Sequence, residues 1–472
     1  MKLNFTFFAA LMTLIVSFVN AESIDETTAL TVASNFYARN SQRSLESLHP
    51  VVAYTAVTGR GINGSAPSFY VVNFDGDGFV IVSGDDRAQP VLAFSTEGAF
   101  VTENIPAHIL FFLDGYTEGI RYIIDNQLER DAATRQQWEN LLDENAPAPK
   151  VGNVMVGPLL GNNQWNQTKF YNDKCPADAT GNSAYGGHAA VGCGAIVMGQ
   201  IMRYWRYPET GTGSHSYNHP NYGTLSANFA NTHYNFGAMS DRLVTTFHPD
   251  SCVDAISTLL YHCGVAVNMN YGPAASTANS NYIVSAMSTY FGYPATVQYV
   301  ERGSISTANW LNHIKEELDE RAPFMYGGSG NYGGHVWTCD GYRDDDYLHF
   351  NWGWGGTQNG YYAITSCSSY GFNSNHAVIV GIRGPELPEA IGEISTPKIT
   401  VYPNPTNNTV HVTTTSTTLK EVQLFDLFGK MLFHQKVSEN DFMVDLSDYT
   451  SGTYILKVVT SNGVETSKVV KY

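Results

Sequence analysis

Residues 186–205 read GGHAAVGCGAIVMGQIMRYW, a turn of small residues that runs into a mostly apolar stretch. The apolar stretch, broken only at Gly199, Gln200 and Arg203, predicts a largely buried helix. Cys193 lies at the predicted N-terminus of this helix, where the helix dipole and free N–H groups favour a thiolate and lower the pKa of the thiol. These features suggest a reactive cysteine, although a single cysteine is more often a buried structural residue.

A second stretch, residues 327–342, reads GGSGNYGGHVWTCDGY and joins a predicted glycine loop to an alternating strand. His335 is the first residue after the loop, a position that can face a cleft. It follows Cys193 by about 140 residues, and papain-like enzymes separate nucleophile and base by about 130–150 residues. The order and spacing predict Cys193 as nucleophile and His335 as general base. Taken alone, His335 would be one of 14 ordinary histidines.

A third stretch, residues 350–356, reads FNWGWGG and puts an amide and two indoles just beyond that strand. An imidazole that acts as a base needs a partner on its second nitrogen to fix its tautomer, and an amide oxygen can serve. Asn351 is the candidate partner, and Trp352 is the candidate shield that keeps water off the bond. The alternative for both Trp352 and Trp354 is an ordinary core position.

Composition indicates a soluble, multi-domain globular protein. The 472 residues include 43 Asp and Glu against 26 Lys and Arg, a formal net charge of −17, with 15% charged and 13% aromatic residues. Few charges and many aromatics exclude a long disordered chain. The acidic balance argues against a nucleic-acid partner. The six cysteines are too sparse for a disulfide scaffold and form no C-x-x-C pair, so we expect neither a metal site nor a cofactor.

The N-terminus predicts export. A basic start precedes an almost wholly apolar run from Phe5 to Val19, and the small residues Val19 and Ala21 fit a signal-peptidase site. We therefore interpret residues 1–21 as a signal peptide. The alternative is a membrane anchor, but about 15 apolar residues are short for a spanning helix, which needs roughly 20.

Changes in composition divide the remaining chain into four parts. Residues 22–150 form an N-terminal segment, and residues 151–385 contain the motifs described above. A proline-bearing linker, residues 386–397, comes next. Residues 398–472 contain evenly spaced alternating runs, which are typical of a small β-sandwich.

The N-terminal segment has its own pattern. After an amphipathic helical start, alternation predicts strands at 69–74 and 78–83, joined by the turn sequence DGDG at 75–78. The same Asp-Gly pairs suggest a calcium loop, but its ligand spacing and closing Glu are missing, so a turn is favoured. A charged surface helix is predicted over 123–143. It ends in ENAPAPK at 144–150, a linker exposed to proteases.

Several of these strings resemble the streptopain family of bacterial secreted cysteine peptidases, a papain-like group. The resemblance covers roughly residues 22–385. It rests on AAVGC with QIMRY, on GGHVWTCDGY and NWGWGG, and on GFVIVSGDD and PVLAFS in the N-terminal segment. It implies an α+β fold with two papain-like subdomains and an α+β propeptide over residues 22–150. That propeptide would be the chain's own intramolecular inhibitor.

The resemblance also implies roles for individual residues. The family's nucleophile maps onto Cys193, its base onto His335, and its oxyanion-hole glutamine onto Gln167 in the string WNQTKFYN. Phe170 stands where relatives carry proline, which leaves this loop less rigid but changes no catalytic atom. Protein or peptide substrates are implied.

The tail carries a separate resemblance. The strings VYPNPT, FDLFGK, GTYILKV and the closing KVVKY are similar to the C-terminal sorting domain of Bacteroidetes type IX secretion. This likeness implies that residues 398–472 engage the type IX secretion machinery, and that the protein is secreted or attached to the cell surface.

The sequence therefore predicts a secreted cysteine endopeptidase made as a zymogen, acting through an acyl-enzyme. Three alternatives stay open: an amidase of cell-wall peptides on the same scaffold, a transglutaminase, and a catalytically silent binding protein. The presence of cysteine, histidine and glutamine together disfavours the silent protein. Only substrate tests separate the amidase from the peptidase.

Overall fold

The computed structural model describes residues 23–41, 43–58, 66–143, 152–181, 183–244, 248–330, 333–364, 375–385, 399–414, 418–426, 430–460 and 464–472. The predicted signal peptide, both predicted linkers and Cys367 lie outside these ranges. The chain divides into two compact units, with the boundary after Pro385. Within the described ranges, no helix combines the length and apolarity needed to cross a membrane.

The secondary structure is mixed. The helices are α1 Glu26–Ser41, α2 Ala107–Asp125, α3 Ala132–Leu142, α4 Cys193–Trp205, α5 Asp250–Ala266, α6 Asn281–Thr289 and α7 Thr307–Asp319. The strands of the first unit are β1 Pro50–Val57, β2 Pro67–Phe74, β3 Gly78–Ser83, β4 Val91–Ser95, β5 Val154–Val156, β6 Ser214–His219, β7 Gly223–Asn228, β8 Gln298–Glu301, β9 Phe324–Gly330, β10 Gly333–Arg343, β11 Tyr347–Asn351, β12 Gly360–Ala363 and β13 His376–Val380. Those of the second unit are β14 Ile399–Tyr402, β15 Thr409–Thr414, β16 Leu419–Phe425, β17 Met431–Lys436, β18 Asp441–Asp445, β19 Gly452–Thr460 and β20 Val464–Lys471.

One antiparallel sheet runs through the first unit. Its order is β1-β2-β3-β4-β12-β11-β10-β9-β13-β8, with β5 added on β10. The N-terminal strands β1–β4 join the rest of the sheet through β4 and β12, where Phe94 lies opposite Tyr361. The N-terminal segment and the segment after residue 151 therefore share a sheet.

Helices build the other half of the first unit. The apolar faces of α4, α5 and α6 meet in one core, which includes Ile196, Leu260 and Met287. This core also takes in Met325 and Val336 of the sheet, and a second cluster of buried side chains lies between the sheet and α2. The arrangement is an α+β fold with two subdomains, as the sequence predicts.

Helix α2 packs on the sheet and not in solvent. Its buried residues include Ile109, Phe112 and Tyr116, which share a core with Trp337 of β10 and Phe350 of β11. The ring of Phe112 lies 5.9 Å from that of Trp337 and 5.5 Å from that of Phe350, both edge to face. This contact joins the N-terminal segment to the middle of the sheet.

The helix predicted over 123–143 is wrong in extent. The chain leaves α2 after Asp125, Gln127 takes a φ of +51°, and α3 begins only at Ala132. Asp131 caps α3, because its side chain accepts a hydrogen bond of 2.7 Å from the N–H of Thr134. The charge pattern predicted one helix, whereas the chain forms two, and the cap at Asp131 marks the start of the second.

The hairpin predicted in the N-terminal segment is confirmed. Strands β2 and β3 cover the predicted runs, and the tight turn at 75–77 connects them. Asp75 and Asp77 of this turn form ion pairs with Arg43. Among the described residues, no cluster of His, Cys, Asp or Glu could hold a metal ion.

The second unit is all β, as predicted. A three-stranded sheet, β14-β15-β18, and a four-stranded sheet, β17-β16-β19-β20, enclose one small core. The core contains Val410 and Val444 from the first sheet, with Leu424 and Leu456 from the second. The alternation of the sequence put these apolar side chains on the inner faces.

Candidate active site

Cys193 opens helix α4, as the sequence predicts. The preceding residue, Gly192, has a φ of +92°, and a Cβ atom there would lie 2.7 Å from Sδ of Met269. Only glycine fits this backbone and this space. The turn therefore ends abruptly at Cys193, where the first N–H groups of the helix have no partner within the helix.

The thiol of Cys193 is not activated in this structure. Burial raises the pKa of Cys193 above its ordinary value, and the N–H groups of Val336, Gly194 and Cys193 itself oppose that rise without cancelling it. The expected lowering of this pKa is therefore wrong for this form of the chain. The reason is that desolvation of the thiolate outweighs the donors at the helix N-terminus.

His335 lies on strand β10. Its neighbour Val336 is buried in the core against which Cys193 packs, so this strand and α4 meet near the cysteine. The glycine run before His335 is not the predicted loop, because it forms the paired strands β9 and β10, with Gly328 opposite His335. A Cβ atom on Gly328 would lie 2.4 Å from the ring of Phe111, so glycine here permits close approach of α2.

Gln167 lies next to the same turn. Its carbonyl oxygen accepts a hydrogen bond of 3.2 Å from the N–H of Val191, two residues before Cys193. Gln167 is almost fully buried. This backbone contact brings Gln167 to the turn that precedes Cys193.

Asn351 is placed differently from the expectation. Its side chain is buried, and its Oδ1 accepts hydrogen bonds from Nε2 of Gln200 (2.9 Å) and from the N–H of Gly353 (3.1 Å). Its Nδ2 donates to the carbonyl oxygen of Asn163 at 2.7 Å. The side-chain amide of Asn351, which was predicted to be the partner of His335, therefore hydrogen-bonds to Gln200, Gly353 and Asn163.

Trp352 and Trp354 follow Asn351 at the end of β11. Trp352 is fully buried, and its Nε1 donates a hydrogen bond of 3.0 Å to the carbonyl oxygen of Gln358. Trp354 is partly buried and packs against the same core. Both indoles contact the ring of His108, with centroid distances of 5.4 Å for Trp352 and 6.0 Å for Trp354.

His108 is a residue of the site that sequence reasoning missed. It lies in the first turn of α2, and its ring is 5.8 Å from the ring of His335. Burial, with His335 as a second cause, lowers the pKa of His108 to about 3. Its Nε2 is buried and has no hydrogen-bond partner among the residues that the structure describes. The sequence around residue 108 does not predict this contact, because the contact depends on how α2 packs.

The other described cysteines are less suited to chemistry. Cys175, Cys252, Cys263 and Cys339 are buried, whereas Cys193 is only partly so. Burial raises the pKa of Cys175 to about 12, and it raises the pKa of Cys339 well above its ordinary value. Cys193 is therefore the candidate nucleophile among these residues.

Comparison with known families gives three matches along the chain. The peptidase C10 family matches residues 165–362, the Spi protease inhibitor family matches residues 21–120, and a secretion system C-terminal sorting domain matches residues 400–472. The sorting domain indicates secretion or surface attachment. The inhibitor match falls on the segment that carries α2 and His108.

Individual relatives agree with these matches. Streptopain of Streptococcus pyogenes serotype M1 is 32% identical over 343 residues, which cover 68% of this chain and 81% of streptopain. The thiol protease/hemagglutinin PrtT of Porphyromonas gingivalis is 29% identical over 410 residues, 83% of this chain. The chain spans only 45% of the length of PrtT.

A solved structure shares the fold of the first unit. A fragment of prointerpain A from Prevotella intermedia aligns with a TM-score of 0.56 and 26% identity, covering 70% of this chain and all of the fragment. The likeness to a pro-form agrees with a sheet that includes strands of the N-terminal segment. Together with the identity to streptopain, these matches show that the chain belongs to the peptidase C10 (streptopain) family of cysteine peptidases.

Proposed function

We propose that this chain is the latent form of a secreted cysteine endopeptidase, with Cys193 as nucleophile, His335 as general base and acid, and Gln167 in the oxyanion hole. The observation that carries the proposal is that Cys193 packs against the buried core that includes Val336, the neighbour of His335 on β10. This packing brings the start of α4 to the strand of His335. Protein and peptide substrates fit this chemistry.

The reaction proceeds in two halves. The Cys193 thiolate attacks the scissile carbonyl carbon, and the oxyanion that forms accepts hydrogen bonds from the Gln167 amide and the N–H of Cys193. The protonated His335 gives its proton to the leaving amine as the C–N bond breaks, which leaves a thioester. His335 then takes a proton from water, the hydroxide attacks the thioester, and the carboxylate product leaves as the thiolate is restored.

The roles of Asn351 and Trp352 are revised in this proposal. Both oxygen contacts of the Asn351 amide are made with Gln200 and Gly353, so we assign Asn351 to supporting the site. Trp352 keeps its proposed role as an apolar wall beside His335, since its indole is fully buried there.

Latency fits the way that the N-terminal segment packs. Residues 22–150 are the proposed propeptide, and His108 of α2 contacts the ring of His335 and the indoles of Trp352 and Trp354. The raised pKa of Cys193 fits a covered thiol. Cutting within 144–150 would release this segment and return the thiol to a wetter environment.

Export is the proposed task of both ends. Residues 1–21 act as the signal peptide, and residues 398–472 engage the type IX secretion machinery after the linker 386–397. The catalytic domain is then residues 151–385. The match of a sorting domain to residues 400–472 supports this division.

The test is thiol labelling combined with peptide cleavage. We expect iodoacetamide to inactivate the processed enzyme and to alkylate Cys193, and we expect Cys193→Ser to abolish cleavage while the control Cys252→Ser retains it. A Cys193→Ser protein that cleaves normally would refute the assignment. Selective release of amines from D-amino-acid cell-wall peptides would favour the amidase, and transfer to added amines would favour the transglutaminase.

A further inference from the structure

A buried hydrogen-bond network of uncharged side chains lies behind the candidate site. Its centre is Gln200, whose Nε2 donates to Oδ1 of Asn163 at 3.1 Å and to Oδ1 of Asn351 at 2.9 Å. Oε1 of Gln200 accepts a hydrogen bond of 2.7 Å from Oγ1 of Thr338. No member of this network is more than 2% exposed. Gln200 is part of the QIMRY string, to which the catalytic mechanism assigns no role.

The network reaches the four segments that carry the residues predicted for catalysis. Gln200 lies on α4, Thr338 on β10, Asn351 at the end of β11, and Asn163 on the loop that leads to Gln167. Each member of the network lies close in sequence to a predicted catalytic residue. Gln200 is near Cys193, Thr338 is near His335, Asn351 precedes Trp352, and Asn163 is near Gln167. One amide side chain thus connects four segments that have to keep fixed positions.

Apolar packing joins α4 to β10 on one side of the strand only. Ile201, the neighbour of Gln200 on α4, shares a core with Val336, whereas Trp337 and Cys339, on either side of Thr338, belong to a second core. Because hydrophobic contact is non-directional, this packing defines the position of α4 on the strand less strictly than a hydrogen bond does. Hydrogen bonds have strict geometry, so they can set the distance between the two halves.

A glutamine suits this position because its amide both donates and accepts without carrying charge. A charged group here would have to be desolvated, whereas the amide satisfies its neighbours directly. If the amide is removed, Thr338 loses an acceptor, and Asn163 and Asn351 each lose a donor in a place that water does not reach.

We propose that Gln200 is a positioning residue that fixes the helix of Cys193 against the strand of His335, an inference that rests on the proposed roles of those two residues. Gln200 touches no substrate and acts through Thr338 and Asn351. Its loss shifts nucleophile and base relative to each other and slows turnover, but it leaves the substrate-binding surface in place. A shift of about 1 Å in such a pair costs roughly 100-fold in rate.

The first test compares Gln200→Met, which keeps the volume and removes the amide, with the control Tyr234→Phe. The control also removes a buried hydrogen bond, the 2.9 Å contact of Tyr234 with His262, in the same helical half. Each full chain is activated by added protease, and active sites are counted by thiol titration. We expect kcat per titrated site to fall roughly 100-fold in Gln200→Met, with KM within about 3-fold, and the control to match wild type.

A pH profile supplies a readout that a purely structural role would not move. In Gln200→Glu, only the protonated carboxylic acid can donate to Asn163 or Asn351, so kcat should recover as the pH falls, relative to Gln200→Met. Thr338→Val, which removes one hydrogen bond, should lose roughly 10-fold in kcat. This milder variant decides the matter if Gln200→Met does not fold.

The outcomes separate the two proposals. If Gln200→Met and Thr338→Val keep wild-type kcat per titrated site while Cys193→Ser is inactive, the positioning role is refuted and the catalytic assignment survives. If Cys193→Ser retains activity, the catalytic assignment fails first. Equal losses of kcat in Gln200→Met and Tyr234→Phe would also refute the positioning role, because general destabilisation would then explain both.

Discussion

The rings of His108 and His335 lie 5.8 Å apart, although the first belongs to the N-terminal segment and the second to the catalytic strand β10. Burial and the nearby His335 lower the pKa of His108 to about 3, so the His108 ring is neutral near pH 7 and contacts His335 without adding a charge. The contact thus links latency to the surroundings of the proposed base.

Removal of the His108 ring should weaken latency. His108→Ala leaves a cavity under α2 and costs about 2 kcal/mol of docking free energy, which corresponds to roughly 30-fold more of the undocked form. We expect the uncut chain to cleave peptide correspondingly faster, as measured by initial rates before any band shift on a gel. Tyr122→Ala, at an exposed position of the same helix, is the matched control. Equal latency in His108→Ala and wild type would contradict this role of α2.

Acidification should also loosen the propeptide. The pKa of His108 falls from an ordinary 6.5 to about 3 when the ring is buried, so the undocked ring binds a proton below pH 6.5 and the docked ring does not. Docking therefore weakens as the pH falls from 6.5 towards 3, by up to about 1.4 kcal/mol per pH unit. We expect self-activation to accelerate over this window.

The variant that isolates this effect is His108→Phe, which keeps an aromatic ring and removes the titration. Burial also lowers the pKa of His376 to about 3, but His376 is unchanged in both proteins. The difference between wild type and His108→Phe therefore reports His108. Parallel pH profiles for activation of the two proteins would refute the titration of His108 as a cause.

Loss of Gln167 should slow catalysis and spare the thiol. Gln167→Ala removes one oxyanion donor, and such losses cost about 10²- to 10³-fold in kcat. The rate at which iodoacetamide alkylates Cys193 in the processed enzyme should stay near wild type, because alkylation forms no oxyanion. If both rates fall together, Gln167 supports the fold of the site and not the oxyanion.

The sequence predicts those parts of the molecule that depend on short-range patterns. Helix α4 from Cys193, the hairpin of β2 and β3 and the alternating strands of the second unit all follow from local periodicity. The family of the chain could likewise be read from short strings around Cys193 and His335. Local patterns and short strings were sufficient to predict these features.

Contacts between distant segments could not be predicted in this way. The pairing of β4 with β12 and the packing of His108 on His335 depend on tertiary structure. Neither the periodicity of the sequence nor the type of a residue predicts such contacts. The contacts of Asn351 depend on tertiary structure in the same way. Residue type and position suggested a partner for the base, but the buried amide of Gln200, 151 positions away, occupies its oxygen.

The turn before Cys193 should tolerate no side chain. Gly192→Ala has to accept a φ of +92° and a Cβ atom 2.7 Å from Met269. Gly187→Ala is a matched control, since Gly187 has a φ of +87° and no neighbour within 4 Å of the added atom. Left-handed backbone costs about 1–2 kcal/mol in both, and overpacking adds about 1–3 kcal/mol only in Gly192→Ala. Denaturant unfolding measures this difference, and equal losses of stability would show that the contact with Met269 is unimportant.

Removal of residues 398–472 should block export and spare the enzyme. The second unit has its own core, which includes Val412 and Leu456, so its deletion removes no member of the cores of the first unit. Its aromatic residues Phe433, Phe442 and Tyr454 pack against or within that core, which disfavours an exposed stacking platform for a carbohydrate or a large substrate. We expect the truncated chain to accumulate in the periplasm of a host with type IX secretion, with kcat/KM for small peptides within about 2-fold of the full chain after activation. Fractionation and peptide assays measure the two quantities separately. Normal secretion of the truncated chain together with weaker binding of a large protein substrate would instead assign this unit to substrate recognition.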